Sequence, residues 1–173
     1  MVEGPVGKDR SMNIHCIILA RGGSKGIPKK NIISFCGKPL LAWTIEQCLK
    51  AKYISNVWVS SDDDDILDVA EQYGAKKIKR PHDISADTST SESAWLHAID
   101  YLTDNNIKID VVLAPQVTSP LRETIDINNA ITKFIENNYD SLFSASITDD
   151  LYFWEESKSG INSINYDCLL YTS

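Results

Sequence analysis

The sequence predicts an α/β fold in which a mainly parallel sheet carries helices on both faces. The main observation is that short β-rich runs alternate with segments of helical periodicity along the chain, an order typical of such folds. In addition, a chain of 173 residues suits one domain with a sizeable core. No internal repeat or low-complexity linker interrupts the pattern, so we expect no second domain.

The predicted elements follow one another in β-α-β order. The strands are short runs rich in β-branched residues, and the helices repeat apolar residues at i, i+3, i+4 and i+7. The repeat is clearest at Ile66, Val69, Ala70 and Tyr73, and Gly74 follows at the position of a C-cap. The elements in order are a strand at 14–20, helix at 40–52, strand at 57–60, helix at 63–73, helix around 94–102, strand at 110–114, helix around 127–134 and strand at 141–147.

The two ends of the chain differ from the segment between them. We expect one domain over residues 14–159. Residues 1–13 are polar and aperiodic, which predicts a disordered leader or an extension. Residues 160–173 show no clear element and end without a capping pattern. This predicts an irregular tail on a C-terminally truncated chain, with non-native residues from about 168 onward.

Composition narrows the class of protein. The net charge of −7 argues against a general nucleic-acid or membrane-surface binder. No apolar stretch approaches the ~20 residues of a membrane span, and no signal peptide is visible, so we expect a cytoplasmic protein. The four cysteines form no C-x-x-C pair, which predicts neither a zinc site nor a disulfide framework.

The first predicted strand ends in a loop suited to phosphate. Three glycines lie within this loop, and it carries four cations, Arg21, Lys25, Lys29 and Lys30. Glycines let backbone N–H groups approach an anion, and the cations supply counter-charge. The spacing fits neither a Walker A loop nor a dinucleotide fingerprint. The loop therefore predicts a polyphosphate site of another kind, with a solvated basic turn as the alternative.

Three ordered motifs resemble one enzyme family. L-A-R-G-G-S-K-G-I-P-K-K-N at residues 19–31 resembles the signature loop of the CMP-sugar synthetases. R-P-H-D-I-S-A-D-T-S-T-S at residues 80–91 and Q-V-T-S-P-L-R at residues 116–122 resemble two further segments of that family. The likeness covers roughly residues 14–147. On these motifs the chain is identified as a member of the CMP-N-acetylneuraminic acid synthetase (acylneuraminate cytidylyltransferase) family.

The resemblance implies a fold, a reaction and a set of residues. The fold is the Rossmann-like, three-layer nucleotide-diphosphosugar-transferase fold. The reaction joins CMP from CTP to an acidic nine-carbon sugar and releases pyrophosphate, with Mg²⁺ as cofactor. Arg21 and Lys30 would be catalytic cations on the triphosphate, and Gln116 would contact the sugar. The implied nucleotide contacts are Leu19, Ala20, Arg21, Gly22, Gly23, Lys25, Lys30, Asn31, Arg80, Ser89, Thr90 and Ser91.

Structural alternatives accompany these assignments. Residues 87–91 could simply cap the following helix, and residues 116–122 could form a turn in which Arg122 anchors the loop. The acidic run at residues 62–65 could bind Mg²⁺, but its position at a helix N-terminus favours a capping role for Asp62. We expect His15 to be structural and Trp43, Trp58 and Trp95 to pack in the core.

The likeness also has gaps. The family's dimerisation subdomain and the Asp-x-Asp segment that holds Mg²⁺ do not occur before Ser173, so no metal ligand is expected within this chain. A homodimer is implied for the full-length family only. Asp149 and Asp150 stand where many members place a basic residue for the sugar carboxylate. Two alternatives therefore stay open: an enzyme for another sugar acid (legionaminic, pseudaminic or KDO-like), or a non-catalytic nucleotide-binding fragment.

Overall fold

The structure, a computed structural model, describes residues 12–23, 26–85, 90–145, 154–157 and 160–163. The chain divides into two units, residues 1–139 and 140–173. Short 3-10 helices occupy Lys30–Ile32 and His82–Ile84. The strands and helices are β1 (Ile14–Leu19), β2 (Ser34–Phe35), β3 (Lys38–Pro39), α1 (Leu40–Leu49), β4 (Ile54–Ser61), α2 (Asp64–Gln72), β5 (Lys76–Lys79), α3 (Ser91–Asp104), β6 (Val111–Leu113), α4 (Thr124–Glu136), β7 (Trp154–Ser157) and β8 (Gly160–Ser163).

Four strands form the sheet of the first unit in the order β5-β4-β1-β6. All three neighbouring pairs are parallel, which confirms the predicted sheet. From β1 the chain builds outward through β4 to β5 and then returns to β6 on the opposite side of β1. This reversal creates a switch point between β1 and β6, the place where open α/β sheets bind ligands.

Helices cover both faces of the sheet. On one face, Ile14, Cys16 and Ile18 of β1 pack with buried residues of α1, α2 and α4. On the other face, Ile17 packs with Ala98 and Leu102 of α3, together with side chains from β4 and β5. Successive residues of β1 therefore serve opposite faces, as the period of a strand requires. The result is the predicted three-layer arrangement.

Strand β5 is absent from the sequence prediction. Its four residues, Lys-Lys-Ile-Lys, contain a single apolar side chain, Ile78, which is fully buried against α3. Such a strand has too little hydrophobic alternation to be recognised, and its lysines are typical of an edge strand. Its presence places Arg80 directly after a strand end. Several predicted boundaries also differ; for example, α1 ends at Leu49 and β4 begins at Ile54.

The second unit contains an antiparallel hairpin. In it β7 pairs with β8, with Trp154 opposite Ser163. The expectation of no element after residue 160 is therefore wrong for Gly160–Ser163, because two strands separated by two residues can pair through a tight hairpin. The strand predicted at 141–147 is wrong over its described part, residues 141–145, which are exposed and pair with no strand. Asp149 and Asp150 lie outside the described residues.

Across the described part of the chain, no helix has both the length and the apolar character needed to cross a membrane.

Candidate functional site

The carboxyl ends of all four parallel strands open onto one edge of the sheet. Arg21 follows β1, Asp62 follows β4, Arg80 follows β5, and Gln116 follows β6. A cavity of about 590 Å³ lies at this edge. It is a natural position for a ligand site, because no strand blocks the approach to the loops that follow the sheet.

The cavity brings together the three motifs found in the sequence. Its lining contains three cations and no carboxylate among the described residues. The lining residues are Leu19, Arg21, Gly26, Ile27, Lys30, Asn31, Arg80, Thr90, Ser91, Ala94, Trp95, Pro115, Gln116, Val117 and Thr118. Eight of the predicted site residues are therefore neighbours in space, although they span almost 100 positions in sequence. Lys25 and Ser89 lie outside the described residues.

The first loop is tied to the sheet through its backbone. Ala20 donates its N–H to the carbonyl of Ser60 at 3.0 Å. Further on, the buried Asn31 donates from Nδ2 to the carbonyl of Arg21 at 3.0 Å. These bonds hold Arg21 and Lys30 on the same side of the loop, next to the cavity. Lys29 is exposed and pairs with Asp65 at 2.5 Å, and it is not among the residues that line the cavity.

Gly22 lies against the junction of β4 and α2. Its N–H donates to Oδ1 of Asp62 at 3.0 Å. A Cβ at Gly22 would come within 2.7 Å of Oδ2 and 2.8 Å of Cβ of Asp63, a distance that side chains do not tolerate. Gly22 is thus required for close packing of the loop on the protein itself. Neither Ala20, Gly22 nor Gly23 is among the residues that line the cavity.

The acidic run does not form a metal site. Asp63, rather than Asp62, is the N-cap of α2, since its carboxylate accepts the N–H groups of Asp65 and Ile66. The predicted capping role of Asp62 is wrong because its side chain turns toward the first loop instead. Asp64 pairs with Lys79 at 2.6 Å. Within the described ranges no group of three or more His, Cys, Asp or Glu could hold a metal ion.

Arg80 is the most buried cation of the cavity. Its side chain is only 5% exposed, and Nη2 lies 3.9 Å from Oδ1 of Asp62, itself 10% exposed. Burial lowers the pKa of Arg80; the Asp62 carboxylate opposes this shift, and the positive charge of Arg21 adds to it. Nε has no hydrogen-bond partner among the residues that the structure describes. The guanidinium is therefore fixed at the cavity wall with hydrogen-bonding capacity to spare.

The N-terminus of α3 forms another wall. Thr90 caps this helix by accepting the N–H of Ser93 on Oγ1 at 3.3 Å, so the capping alternative is confirmed for this residue. Thr90 and Ser91 also line the cavity. The positive end of the helix dipole adds to the cationic character of the site and favours an anion there.

The loop after β6 is held by Arg122. Its Nη2 donates to the carbonyl of Gln116 at 3.3 Å, and the N–H of Ser119 approaches the same carbonyl at 3.4 Å. The Arg122 side chain lines a different cavity, beside Trp43. Arg122 therefore acts as the anchor of the loop, the alternative raised from sequence, and leaves the exposed side chain of Gln116 beside the main cavity.

Sequence reasoning missed several residues of the cavity wall. Trp95 and Ala94 come from α3, and Pro115, Val117 and Thr118 flank Gln116. Trp95 was expected only to pack in the core; it does contact the cluster beneath α3, but it also faces the cavity. The sequence could have indicated this position, because Trp95 lies one helical turn after Ser91 and therefore on the same face of the helix. Trp58 is a core residue, as predicted.

Fold and site together define a class: an α/β protein with a cationic cavity at the switch point of a parallel sheet. The family model described as Cytidylyltransferase matches residues 15–161. The chain therefore belongs to the cytidylyltransferase family.

Curated relatives support the same family. The chain is 43% identical over 132 residues to the pseudaminic acid cytidylyltransferase of Campylobacter jejuni strain 81-176, covering 76% of this chain and 57% of that protein. It is 36% identical over 151 residues to N-acylneuraminate cytidylyltransferase A of Danio rerio, covering 87% of this chain and 34% of that protein. The chain thus spans a little over half of the first relative and about a third of the second.

Solved structures agree on the fold. A CMP:2-keto-3-deoxy-manno-octonic acid synthetase complexed with CTP aligns with a TM-score of 0.61 at 20% identity, over 73% of this chain and 48% of that one. A 4-diphosphocytidyl-2C-methyl-D-erythritol synthase aligns with a TM-score of 0.63 at 11% identity, over 88% of this chain and 68% of that one. At these identities the likeness concerns the fold alone, which is that of the nucleotidyltransferases.

Proposed function

We propose that the protein is a cytidylyltransferase that binds CTP in the main cavity and transfers CMP to an acidic nine-carbon sugar of the sialic type, releasing pyrophosphate. Membership of the family supports the reaction class. The observation that carries the proposal is the convergence of three separate motifs on one cavity lined by Arg21, Lys30 and Arg80. Such a cluster of cations in an acidic protein concentrates positive charge where a triphosphate would bind.

Each residue has a role in the proposed reaction. A hydroxyl of the sugar attacks the α-phosphorus of CTP, and the bond to the leaving pyrophosphate breaks. Arg21 and Lys30 stabilise the charge on the phosphates, since phosphoryl transfer depends mainly on positioning and electrostatics. Arg80 and Ser91 bind the cytidine portion, and Gln116 orients the sugar.

Mg²⁺ belongs to the proposal as a requirement of the full reaction. The described residues do not fit a resident magnesium site, because the carboxylates at 62–65 are directed to backbone N–H groups, lysines or Arg80. A cytoplasmic location and the homodimer implied for full-length members of the family complete the proposal.

The acceptor sugar has two candidates. N-acylneuraminate is the substrate named for the Danio rerio relative, and pseudaminic acid is named for the Campylobacter jejuni relatives. Identity to the Campylobacter jejuni relative is higher, 43% against 36%, which supports pseudaminic acid as a candidate beside N-acylneuraminate. Both are acidic nine-carbon sugars, so the chemistry at phosphorus is the same.

Pyrophosphate release tests the proposal. The purified chain is incubated with CTP, Mg²⁺ and each of four acids: N-acetylneuraminic, pseudaminic, legionaminic and KDO. Release with one nine-carbon acid, abolished by EDTA, is the expected result. If the chain binds CTP but releases no pyrophosphate with any of the four acids, the result would instead favour the non-catalytic nucleotide-binding fragment. Release with KDO alone would contradict the nine-carbon assignment.

A further inference from the structure

We propose that Asp62 is a positioning residue that couples the loop after β1 to Arg80, which is proposed to bind the cytidine portion of CTP. This inference deepens the proposed function and rests on it. Asp62 is not among the residues lining the cavity, and it takes no part in capping α2. Its side chain, 10% exposed, instead connects two segments that the cavity brings together.

The first connection is to the loop after β1. Oδ1 of Asp62 accepts the N–H of Gly22 at 3.0 Å. Because Gly22 lacks a Cβ, the loop approaches close enough for this bond to form. A hydrogen bond to an ionised acceptor is stronger than one between neutral groups. The carboxylate thereby fixes the backbone immediately after Arg21.

The second connection is to Arg80. The same Oδ1 atom lies 3.9 Å from Nη2 of the buried guanidinium. An opposite charge at this distance counteracts the loss of solvation that Arg80 suffers on burial. It also offsets the repulsion between Arg80 and Arg21, whose positive charges act on each other. Asp62 therefore holds two cations of one site in place while lying behind the cavity wall.

A positioning role and a purely electrostatic role for Asp62 predict opposite changes in CTP affinity when the carboxylate is removed. A carboxylate near a triphosphate repels it, so removal of the charge alone would tighten CTP binding. If Asp62 positions the loop and Arg80, removal weakens CTP binding instead. The direction of the change therefore decides between the two.

Two substitutions separate the two connections. Asp62→Asn keeps an oxygen that can accept the Gly22 N–H, but it places an amide without charge beside Arg80. Asp62→Ala removes both contacts. Asp68→Asn is the matched control, because it removes one negative charge from the exposed face of the following helix, where Asp68 pairs with Lys77 at 3.8 Å.

The test is calorimetric titration of the full chain with CTP, UTP and inorganic tripolyphosphate. We expect Asp62→Ala to lower the affinity for CTP and for tripolyphosphate by about 10- to 100-fold. This is the size expected for a lost hydrogen bond to a charged group. Asp62→Asn should lower the affinity for CTP by about tenfold and reduce the preference for CTP over UTP. Its affinity for tripolyphosphate should stay within about threefold of the wild-type value. In an Arg80→Ala background, Asp62→Asn should have little further effect on CTP.

The outcomes distinguish this inference from the proposed function. Unchanged or tighter CTP binding by both Asp62 variants, with wild type binding CTP selectively, would overturn the positioning role alone. A wild-type chain that binds tripolyphosphate without preferring CTP would overturn the nucleotide assignment. A lower affinity of Asp62→Ala for tripolyphosphate would still support the contact between Asp62 and Gly22. If wild type binds no ligand of the three, both are overturned. If Asp62→Ala does not fold, the isosteric Asn variant decides.

Discussion

At the scale of single residues, Lys30 and Arg21 carry the proposed chemistry. Both lie beside the cavity, on a loop whose backbone is fixed by Asn31 and Asp62. These bonds fix the backbone at Arg21 and Gly22 without a ligand. Preorganised charge of this kind stabilises a transition state more than the ground state.

Lys30→Ala should therefore reduce turnover more than nucleotide affinity. We expect kcat to fall by about 10²- to 10³-fold, with CTP affinity reduced by no more than about tenfold. Steady-state kinetics and calorimetry on the same preparation give both quantities. Equal losses in turnover and affinity would contradict a role specific to the transition state.

Gly22→Ala should weaken nucleotide binding although Gly22 does not line the cavity. The added methyl would collide with the side chain of Asp63 and push the loop away from Asp62. Gly23→Ala is the steric comparison, because a Cβ there meets nothing within 4 Å. We expect a CTP affinity at least about tenfold lower for Gly22→Ala than for Gly23→Ala. Similar affinities for the two variants would contradict the packing role of Gly22.

His15 is buried on β1 as a neutral imidazole. Nδ1 accepts the indole N–H of Trp58 at 3.1 Å, and Nε2 donates to the carbonyl of Lys108 at 3.2 Å. Burial is the main cause of the lowered pKa of His15. The folded state therefore binds a proton less readily than the unfolded state, whose histidine titrates near about 6.5. The stability contributed by neutral His15 is complete above that pH and is lost as the pH falls below it.

Acidification should thus destabilise the wild type more than a variant without this imidazole. Urea unfolding at pH 7.5 and pH 5.5 measures the change for wild type and for His15→Gln. We expect the smaller decrease in unfolding free energy for His15→Gln. A decrease of the same size in both proteins would show that His15 does not contribute to the pH dependence.

At the scale of elements, the sequence predicts the positions of the helices better than it predicts their N-cap residues. The apolar period located α2 and α3 well, and the Ser/Thr run correctly indicated a cap, which is Thr90. The choice between Asp62 and Asp63 at α2 failed. Either side chain suits an N-cap, and only the position of Gly22 across the edge of the sheet determines which carboxylate turns away.

Asp63→Ala should destabilise the protein by about 1 kcal/mol, the usual effect of removing an N-cap. Asp64→Ala, on the same turn but 80% exposed, should change the unfolding free energy by less than about 0.5 kcal/mol. Chemical denaturation of both variants measures the difference. A larger loss for Asp64→Ala would mean that the cap has been assigned to the wrong residue.

At the scale of the whole molecule, the alternation of strands and helices was enough to predict a parallel sheet. In such a sheet the loops after β1 and β6 lie at the same carboxyl edge, because each follows a parallel strand. Arg80 could be linked to them only by resemblance, since the strand before it has three lysines among four residues. The contact of Asp62 with Gly22 and Arg80 depends on three strand ends meeting, which no local pattern encodes.

The central claim is that the main cavity selects CTP. Calorimetric titration of the purified chain with CTP, ATP, GTP and UTP in the presence of Mg²⁺ tests it most directly, with Lys30→Ala as the control variant. We expect binding of CTP in preference to the other three nucleotides, with weaker binding by the variant. A folded chain that binds another nucleotide more tightly, or binds all four equally, would contradict the assignment.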